Sequence, residues 1–131
     1  CIARWSGPKA QHGAEKWRMV AIQAAKQSRR AWVPTVRELA STRQVAELIG
    51  AADAALVLHE SGSVALQAMS LPSSGELLLI VGPEGGVSPR EIEVFGVAGA
   101  TPVRLGPQVL RTSTAGAVAL GALGVLTDRW S

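Results

Sequence analysis

The stretch LLLIVGPEGGVSPREIEVF, residues 77–95, constrains the fold more than any other part of the sequence. Five apolar residues lead into a loop with one proline and three glycines, and a helix start follows. Ser88 is a preferred N-cap residue, Pro89 fits the first helical position, and Glu91 can close a capping box. The spacing therefore predicts a buried strand, a tight loop and a helix in that order, which is a unit of α/β folds.

The loop in this unit, residues 82–86, has the composition of a ligand cradle. Pro83 suits the second position of a type I turn over Gly82 to Gly85, and Gly86 is expected to adopt a positive φ. A P-loop is excluded because no Gly-Lys-Ser/Thr follows Gly86, and the glycine spacing does not match a dinucleotide fingerprint. A ligand-binding loop at a strand end and a mere tight connection both remain open.

The rest of the chain predicts strands that alternate with helices. Strands are expected at 54–60, 76–82 and 101–106, and helices at 14–28, 42–49, from Pro89 onward and at 114–126. This pattern predicts a single α/β domain over residues 1–131 with a mostly parallel sheet. The last helix, AGAVALGALGVL, is apolar nearly all round and is expected to be buried on more than one side.

Charge is divided unevenly along the chain. Residues 1–43 hold nine of the 13 Lys and Arg and two of the 10 acids, whereas residues 44–131 hold four and eight. A basic segment favours a polyanionic partner, most simply nucleic acid, although a solvated basic helix has the same composition. Lys16, Gln23, Gln27 and Arg30 are expected along one flank of the first helix.

Several classes of protein are disfavoured by the composition. No apolar run approaches the roughly 18 to 20 residues of a membrane span, and the first residues lack an apolar signal segment. Cys1, the single cysteine, cannot form an internal disulfide, and the two histidines have no clustered acids around them. We expect a soluble cytoplasmic protein that binds no metal.

A second stretch, LGPQVLRTSTAGAVAL at residues 105–120, repeats the design of the first. A strand end is followed by a Gly-Pro turn and by a Thr-rich helix start, whose first backbone N–H groups lack helical partners. A third strand end, LHE at residues 58–60, can join these two. The carboxyl ends of parallel strands meet at one edge of a sheet, so the three loops are expected to face one ligand site.

These motifs carry a family resemblance. IVGPEGGVSPREI followed by LGPQVLRTSTA resembles the RsmE family of ribosomal RNA methyltransferases, and the upstream segment KWRMVAIQAAKQSRRAWVP resembles that family too, with Gln27, Arg30 and Pro34 on family positions. The resemblance covers nearly the whole chain. Two residues depart from it, since many members carry Arg where this chain has Gln108 and Glu where it has Ser113.

The resemblance implies a SPOUT-type fold, with a mostly parallel sheet, helices on both faces and a C-terminal trefoil knot that binds S-adenosylmethionine. It implies a homodimer that methylates N3 of a uridine in the 16S ribosomal RNA of the small ribosomal subunit. Family members usually carry an N-terminal PUA-like RNA-binding domain and a first strand and helix ahead of the position of CIARW. The chain is therefore expected to be part of a longer protein.

The resemblance also implies roles for individual residues. Arg111, a cation at a helix start where it opposes the macrodipole, is expected to be catalytic by stabilising a uracil anion. Loss of the N3 proton to solvent without such help stays open, and the structural alternative for Arg111 is an ion pair with Glu84 or Glu60. His59 is as well explained by a structural, hydrogen-bonded histidine as by a ligand contact. Gly85→Val is expected to weaken cofactor binding, because Gly85 is expected to have a positive φ that a β-branched residue cannot easily adopt. The expected RNA contacts are Lys16, Arg18, Gln27 and Arg30. The expected cofactor contacts are Leu58, His59, Glu60, Gly82, Pro83, Glu84, Gly85, Gly86, Leu105, Gly106, Val109, Leu110, Thr114 and Ala115.

Two other functions stay open on sequence grounds. A related SPOUT enzyme could methylate another RNA, at a tRNA ribose or a guanine. A module that binds a nucleotide or RNA without catalysis would also agree with the altered Ser113.

Overall fold

A computed structural model describes residues 7–129, so Cys1 lies outside the described residues. The chain divides into two compact units, residues 1–41 and residues 42–131. The first contains one long helix, and the second contains a sheet with its helices.

The helix of the first unit, α1, spans Pro8–Gln27 and begins earlier than the predicted start at residue 14, with Pro8 at its first position. Arg29 has a φ of 54°. Around this left-handed residue the amide of Arg30 donates to the carbonyl of Ala25 at 3.0 Å, which ends the helix as a Schellman motif does. Arg30 therefore lies beyond the helix, and its predicted place on the same helical flank as Lys16 is wrong.

The second unit alternates helices and strands as predicted. Its strands are all parallel and are ordered β2-β4-β1-β3 across the sheet. The sequence did not predict β2, because two residues cannot show an alternating pattern. The elements are α2 (Thr42–Ala51), β1 (Ala54–Leu58), β2 (Val64–Ala65), a short 3₁₀ helix (Leu66–Ala68), β3 (Leu77–Val81), α3 (Pro89–Ala98), β4 (Thr101–Arg104) and α4 (Thr112–Leu126).

The central strand β1 is buried on both of its faces. Leu56 packs with Val103 of β4 and Leu123 of α4 in one hydrophobic cluster. Its neighbour Val57 points to the opposite face of the sheet, since side chains alternate along a strand. Both Leu56 and Val57 are buried. An α/β architecture with a parallel sheet is thereby confirmed.

The helix after the GPEGG loop begins as predicted. The Ser88 side chain accepts from the amide of Glu91 at 3.3 Å, and the Glu91 carboxylate accepts from the amide of Ser88 at 3.0 Å. Both halves of the capping box are present, and Pro89 is the first helical residue. The end of the loop is therefore fixed by local hydrogen bonds.

The last helix, α4, is buried on one side only. Ala115, Ala119 and Leu123 are buried at four-residue spacing, which places them on one face. Val118 and Val125, seven residues apart, lie on another face and are exposed. Burial of α4 on more than one side is thus wrong within this chain.

Candidate functional site

Three loops begin side by side at the carboxyl edge of the sheet. β1 lies between β3 and β4, and Leu58 at its end pairs with Val81 of β3 and with Val103 of β4. The segments that follow these strands are residues 59–63, 82–88 and 105–111. The parallel register brings together the three strand ends that the sequence singled out.

The loop of residues 82–86 is a tight turn with an open outer side. The amide of Gly86 donates to the carbonyl of Pro83 at 2.7 Å. The turn therefore spans residues 83–86, one residue later than predicted. Gly86 has a φ of 73°, which confirms the expectation for that residue, whereas Gly85 is outside the positive-φ region. The reason for expecting an effect of Gly85→Val is consequently wrong.

Glycine is required at position 82 for a different reason. A Cβ atom there would lie 2.9 Å from the carbonyl carbon of Gly86 and from the amide nitrogen of Val87. These are backbone atoms of the same loop, and they cannot move aside cheaply. By contrast, no described atom lies within 4 Å of a Cβ built at Gly85, Gly86 or Gly106. The turn is therefore closed on itself at Gly82 and open on the side of Gly85 and Gly86.

The loop of residues 105–111 leads into α4. Leu105 packs against the hydrophobic cluster. Val109 is 73% exposed, and Gly106 and Leu110 are also exposed. The helix begins at Thr112 rather than at Thr114, because the carbonyl of Arg111 accepts from the amides of Thr114 at 2.9 Å and Ala115 at 2.8 Å.

Arg111 is the N-cap residue of α4, with a φ of −60° and a ψ of 146°. Within the part of the chain that the structure describes, no side chain caps this helix and no carboxylate lies within 4.0 Å of the Arg111 guanidinium. The alternative of an ion pair with Glu84 or Glu60 is not found. An exposed cation beside uncapped N–H groups can receive an anionic or electron-rich ligand.

The third loop begins with His59, whose amide donates to the carbonyl of Val103 at 3.0 Å. The ring nitrogen Nδ1 accepts from the amide of Ser61 at 3.3 Å and lies 2.7 Å from the Ser61 hydroxyl. Nδ1 of His59 is therefore hydrogen-bonded within the protein, as expected for a histidine with a structural role. Glu60 is exposed.

The predicted RNA contacts lie in the first unit. Lys16, Gln27 and Arg30 are exposed, whereas Arg18 forms an ion pair with Glu38. The Arg30 guanidinium lies 5.3 Å from the centre of the Trp32 ring, and Trp32 is 63% exposed.

Two residues that contact predicted site residues were not predicted from the sequence. Trp32 lies under the Arg30 guanidinium, and Ser61 contacts His59. The signal for Trp32 was an aromatic residue within a basic segment, and the signal for Ser61 was a hydroxyl two residues after a histidine. In the second unit a concavity is lined by residues of α2 and α3, and in the first unit another lies beside the start of α1.

Two structural features concern membrane proteins and metalloproteins. Across residues 7–129, no helix is long and apolar enough to cross a membrane. Over the same residues, His, Cys, Asp and Glu form no cluster of three or more that could hold a metal ion.

Comparison with known proteins agrees with the motifs. The ribosomal RNA small subunit methyltransferase E of Mycobacterium bovis is 49% identical over 134 residues, covering 99% of this chain and 51% of the relative. The protein of the same name from Bacillus subtilis is 34% identical and covers 97% and 52%. The chain thus spans about half the length of these curated relatives.

A crystal structure of a ribosomal RNA small subunit methyltransferase E from Neisseria gonorrhoeae, bound to S-adenosyl methionine, has the same fold. It matches with a TM-score of 0.81 and 28% identity, covering 95% of this chain and 52% of that one. These relatives confirm the resemblance seen in the motifs. The family described as RNA methyltransferase domain matches residues 1–124, so the chain belongs to that family.

Proposed function

We propose that residues 1–131 form the SPOUT-type catalytic domain of a cytoplasmic enzyme that transfers a methyl group from S-adenosylmethionine to N3 of a uridine in 16S ribosomal RNA. The observation that carries the proposal is the meeting of three loops at the carboxyl ends of β1, β3 and β4, two of which have open backbone at Gly85, Gly86 and Gly106. The names of the relatives support a ribosomal RNA substrate, since they are ribosomal RNA small subunit methyltransferases. The test is methyl transfer to 16S ribosomal RNA followed by identification of the modified nucleoside.

The loops offer the kinds of contact that S-adenosylmethionine would need. Open space at Gly85, Gly86 and Gly106 allows a ligand to approach the backbone, and the uncapped start of α4 offers N–H donors. Exposed Val109 and Leu110 provide apolar contact area. The residues that would hold the cofactor are those named from the resemblance, at 58–60, 82–86, 105–106, 109–110 and 114–115.

Methyl transfer requires that the acceptor atom and the methyl group are aligned, more than it requires a reactive side chain. The bound cofactor would supply an electrophilic methyl group. Rigid loops that hold the acceptor base in line with it can contribute about 7 to 11 kcal/mol to lowering the barrier. Uridine N3 becomes nucleophilic when its proton leaves, and the uracil ring then carries negative charge. Arg111, an exposed cation with no ion pair among the described residues, would stabilise that charge.

A trefoil knot is part of the proposal. β3 and β4 lie on opposite sides of β1, yet α4, which follows β4, contacts β3. A Cβ built at Gly116 of α4 would be 3.8 Å from Cγ2 of Val81. The chain between β4 and α4 therefore crosses from the β4 side of β1 to the β3 side. Such a crossing supports a knotted path, which is rare among folds.

The basic first unit is the proposed contact with RNA phosphates. No acidic residue occurs between Glu15 and Glu38, whereas six cations do, namely Lys16, Arg18, Lys26, Arg29, Arg30 and Arg37. Lys16 and Arg30 are exposed, and Gln27 lies near them in sequence. Arg18 is the weakest candidate because Glu38 already neutralises it.

RNA binding by the chain is expected to weaken steeply with salt, since counterions are released from each neutralised phosphate. Lys16→Gln and Arg30→Gln should each reduce the slope of log affinity against log salt by roughly 0.7 to 0.9. Arg43→Gln is the control, because Arg43 already pairs with Glu47. Fluorescence anisotropy with a 16S ribosomal RNA fragment measures the slopes. Equal slopes in all three variants would contradict this interface.

A homodimer through α4 is also proposed. Val118 and Val125 form an exposed apolar stripe on a helix that has no charged residue between Thr112 and Leu126. Exposed Val109 and Leu110 precede that helix in the loop. Exposed apolar side chains of this kind support an interface, and a second copy of the chain would supply the matching surface.

Val125→Glu is expected to convert the dimer into a monomer, because it places a charge in the proposed apolar interface. Val97→Glu is the matched control, since Val97 lies on α3 and is 87% exposed against 71% for Val125. Light scattering at micromolar concentration should show a dimer for the unchanged chain and for Val97→Glu. A monomeric unchanged chain, or a dimeric Val125→Glu variant, would refute the α4 interface.

A further inference from the structure

We infer that His59 serves as a neutral hydrogen-bond donor through Nε2, toward an oxygen acceptor of the ligand bound at the strand ends, and that Ser61 fixes the tautomer required. The inference rests on the proposed function for the identity of that ligand. The acceptor is an oxygen of S-adenosylmethionine or a carbonyl oxygen of the acceptor base. The experiment below distinguishes these two sources.

The tautomer follows from the hydrogen bonds at Nδ1. A backbone N–H can only donate, and the amide of Ser61 points at Nδ1 of His59 at 3.3 Å. Nδ1 must therefore carry a lone pair, and the proton of the neutral ring must reside on Nε2. The Ser61 hydroxyl, 2.7 Å from the same nitrogen, can donate to it as well. The amide of Ser61 therefore decides the tautomer, and the hydroxyl is compatible with it.

The position of the ring is fixed by the backbone around it. The amide of His59 continues the ladder between β1 and β4, and the carbonyl of His59 accepts from the amide of Gly62 at 3.0 Å. Arg104 then donates to the carbonyls of Gly62 at 2.9 Å and Ser63 at 3.1 Å. A Cβ at Gly62 would lie 2.7 Å from the carbonyl carbon of Val103, so the turn sits directly against β4. A turn held in this way presents the imidazole with little freedom.

The second ring nitrogen, Nε2, has no hydrogen-bond partner among the described residues and is therefore available to a ligand. Across the described residues, the only hydrogen bonds of the His59 ring are those at Nδ1. His59 directly follows Leu58, the end of the strand between the other two loops. A neutral donor also suits a site proposed for a sulfonium cation, because an imidazolium would be repelled by that charge.

The tautomer is measured by ¹⁵N nuclear magnetic resonance of the imidazole nitrogens. His12→Gln removes the only other histidine, so the remaining ring signals belong to His59. At a pH where the ring is neutral, we expect Nε2 to be the protonated nitrogen and Nδ1 the unprotonated one. The reverse pattern, or an even mixture of tautomers, would overturn the inference.

Titration of the same sample identifies the acceptor. A shift of the Nε2 signal on adding S-adenosylmethionine assigns the acceptor oxygen to the cofactor. A shift only on adding a uridine-containing 16S ribosomal RNA fragment to the cofactor complex assigns it to the base. No shift in either titration would show that Nε2 has no ligand partner, and the donor role would be refuted.

Two substitutions separate the donor role from a merely structural one. His59→Gln places an amide N–H near the position of Nε2, although it cannot act as a base. His59→Asn retains an oxygen that accepts from the amide two residues later, but it cannot reach outward as Nε2 does. We expect His59→Gln to remain within about threefold of the unchanged chain and His59→Asn to lose roughly five- to tenfold. If the cofactor shifts the Nε2 signal, the loss is measured in cofactor affinity. If only the RNA shifts it, the loss is measured in the rate of methyl transfer.

The opposite order, with His59→Asn intact and His59→Gln impaired, would mean that only the contact with Ser61 matters and would overturn the inference. The tautomer is read without ligand, so that measurement stands even if the chain does not bind S-adenosylmethionine. Failure of cofactor binding in the unchanged chain would refute the proposed function, and with it the donor role.

Discussion

Gly86→Ala is expected to lower the affinity of the chain for S-adenosylmethionine at least about tenfold, a free-energy change of about 1.4 kcal/mol. Gly86 has a φ of 73° in the turn that forms one wall of the proposed site. A side chain in the left-handed region costs roughly 1 to 2 kcal/mol, and the turn would shift to relieve that strain. The added Cβ would also enter the open space from which the ligand approaches.

Gly99→Ala is the matched control for this prediction. Gly99 has a φ of 111° at the end of α3, the opposite end of the helix that follows Gly86. At both positions an added Cβ would have free space around it. Both glycines have a positive φ, so the two variants carry the same kind of backbone strain. Thermal melts should show similar losses of stability, and calorimetry should show loss of affinity for Gly86→Ala only. Equal affinities in the two variants would place the cofactor elsewhere.

Arg111→Gln is expected to slow methyl transfer at least about a hundredfold while changing cofactor affinity less than about threefold. Removing one electrostatic contact to a developing charge typically costs 10²- to 10³-fold in rate, and Arg111 is proposed to stabilise the uracil anion. Arg90→Gln is the control with the same change of charge in the same unit, since Arg90 is an exposed residue of α3.

Single-turnover kinetics with saturating S-adenosylmethionine separates the rate of transfer from cofactor binding. Arg111→Lys should retain part of the rate, because the charge stays and only the planar guanidinium is lost. If Arg111→Gln transferred methyl groups as fast as Arg90→Gln, proton loss to solvent would suffice and the role of Arg111 would be refuted.

The features predicted correctly from the sequence depend on neighbouring residues. The capping box of α3 needs Ser88, Pro89 and Glu91 at fixed spacing, so its signal is entirely local. The positive φ of Gly86 is also predicted from local sequence, since it depends only on the glycines of the same loop. The turn itself was predicted one residue early, because Pro83 can occupy either of its first two positions and the hydrogen bond from Gly86 decides between them.

The features that were missed depend on contacts that no local pattern encodes. The composition of α4 indicates an apolar helix, but it cannot tell whether the sheet or another copy covers each face, and here Val118 and Val125 are left exposed. The two residues of β2 form a strand only because β4 lies beside them. The end of α1 also escaped prediction, since Arg29 adopts a left-handed conformation that usually falls to glycine.

The most direct test of the proposed function is to incubate the chain with S-adenosylmethionine carrying a labelled methyl group and with 16S ribosomal RNA or small ribosomal subunits. The RNA is then digested to nucleosides, and the labelled product is identified by mass spectrometry. The proposal predicts label in 3-methyluridine, and at least about a hundredfold less of it when Arg111→Gln replaces the unchanged chain in the same short incubation. Label in a ribose-methylated nucleoside or a methylguanine would contradict it.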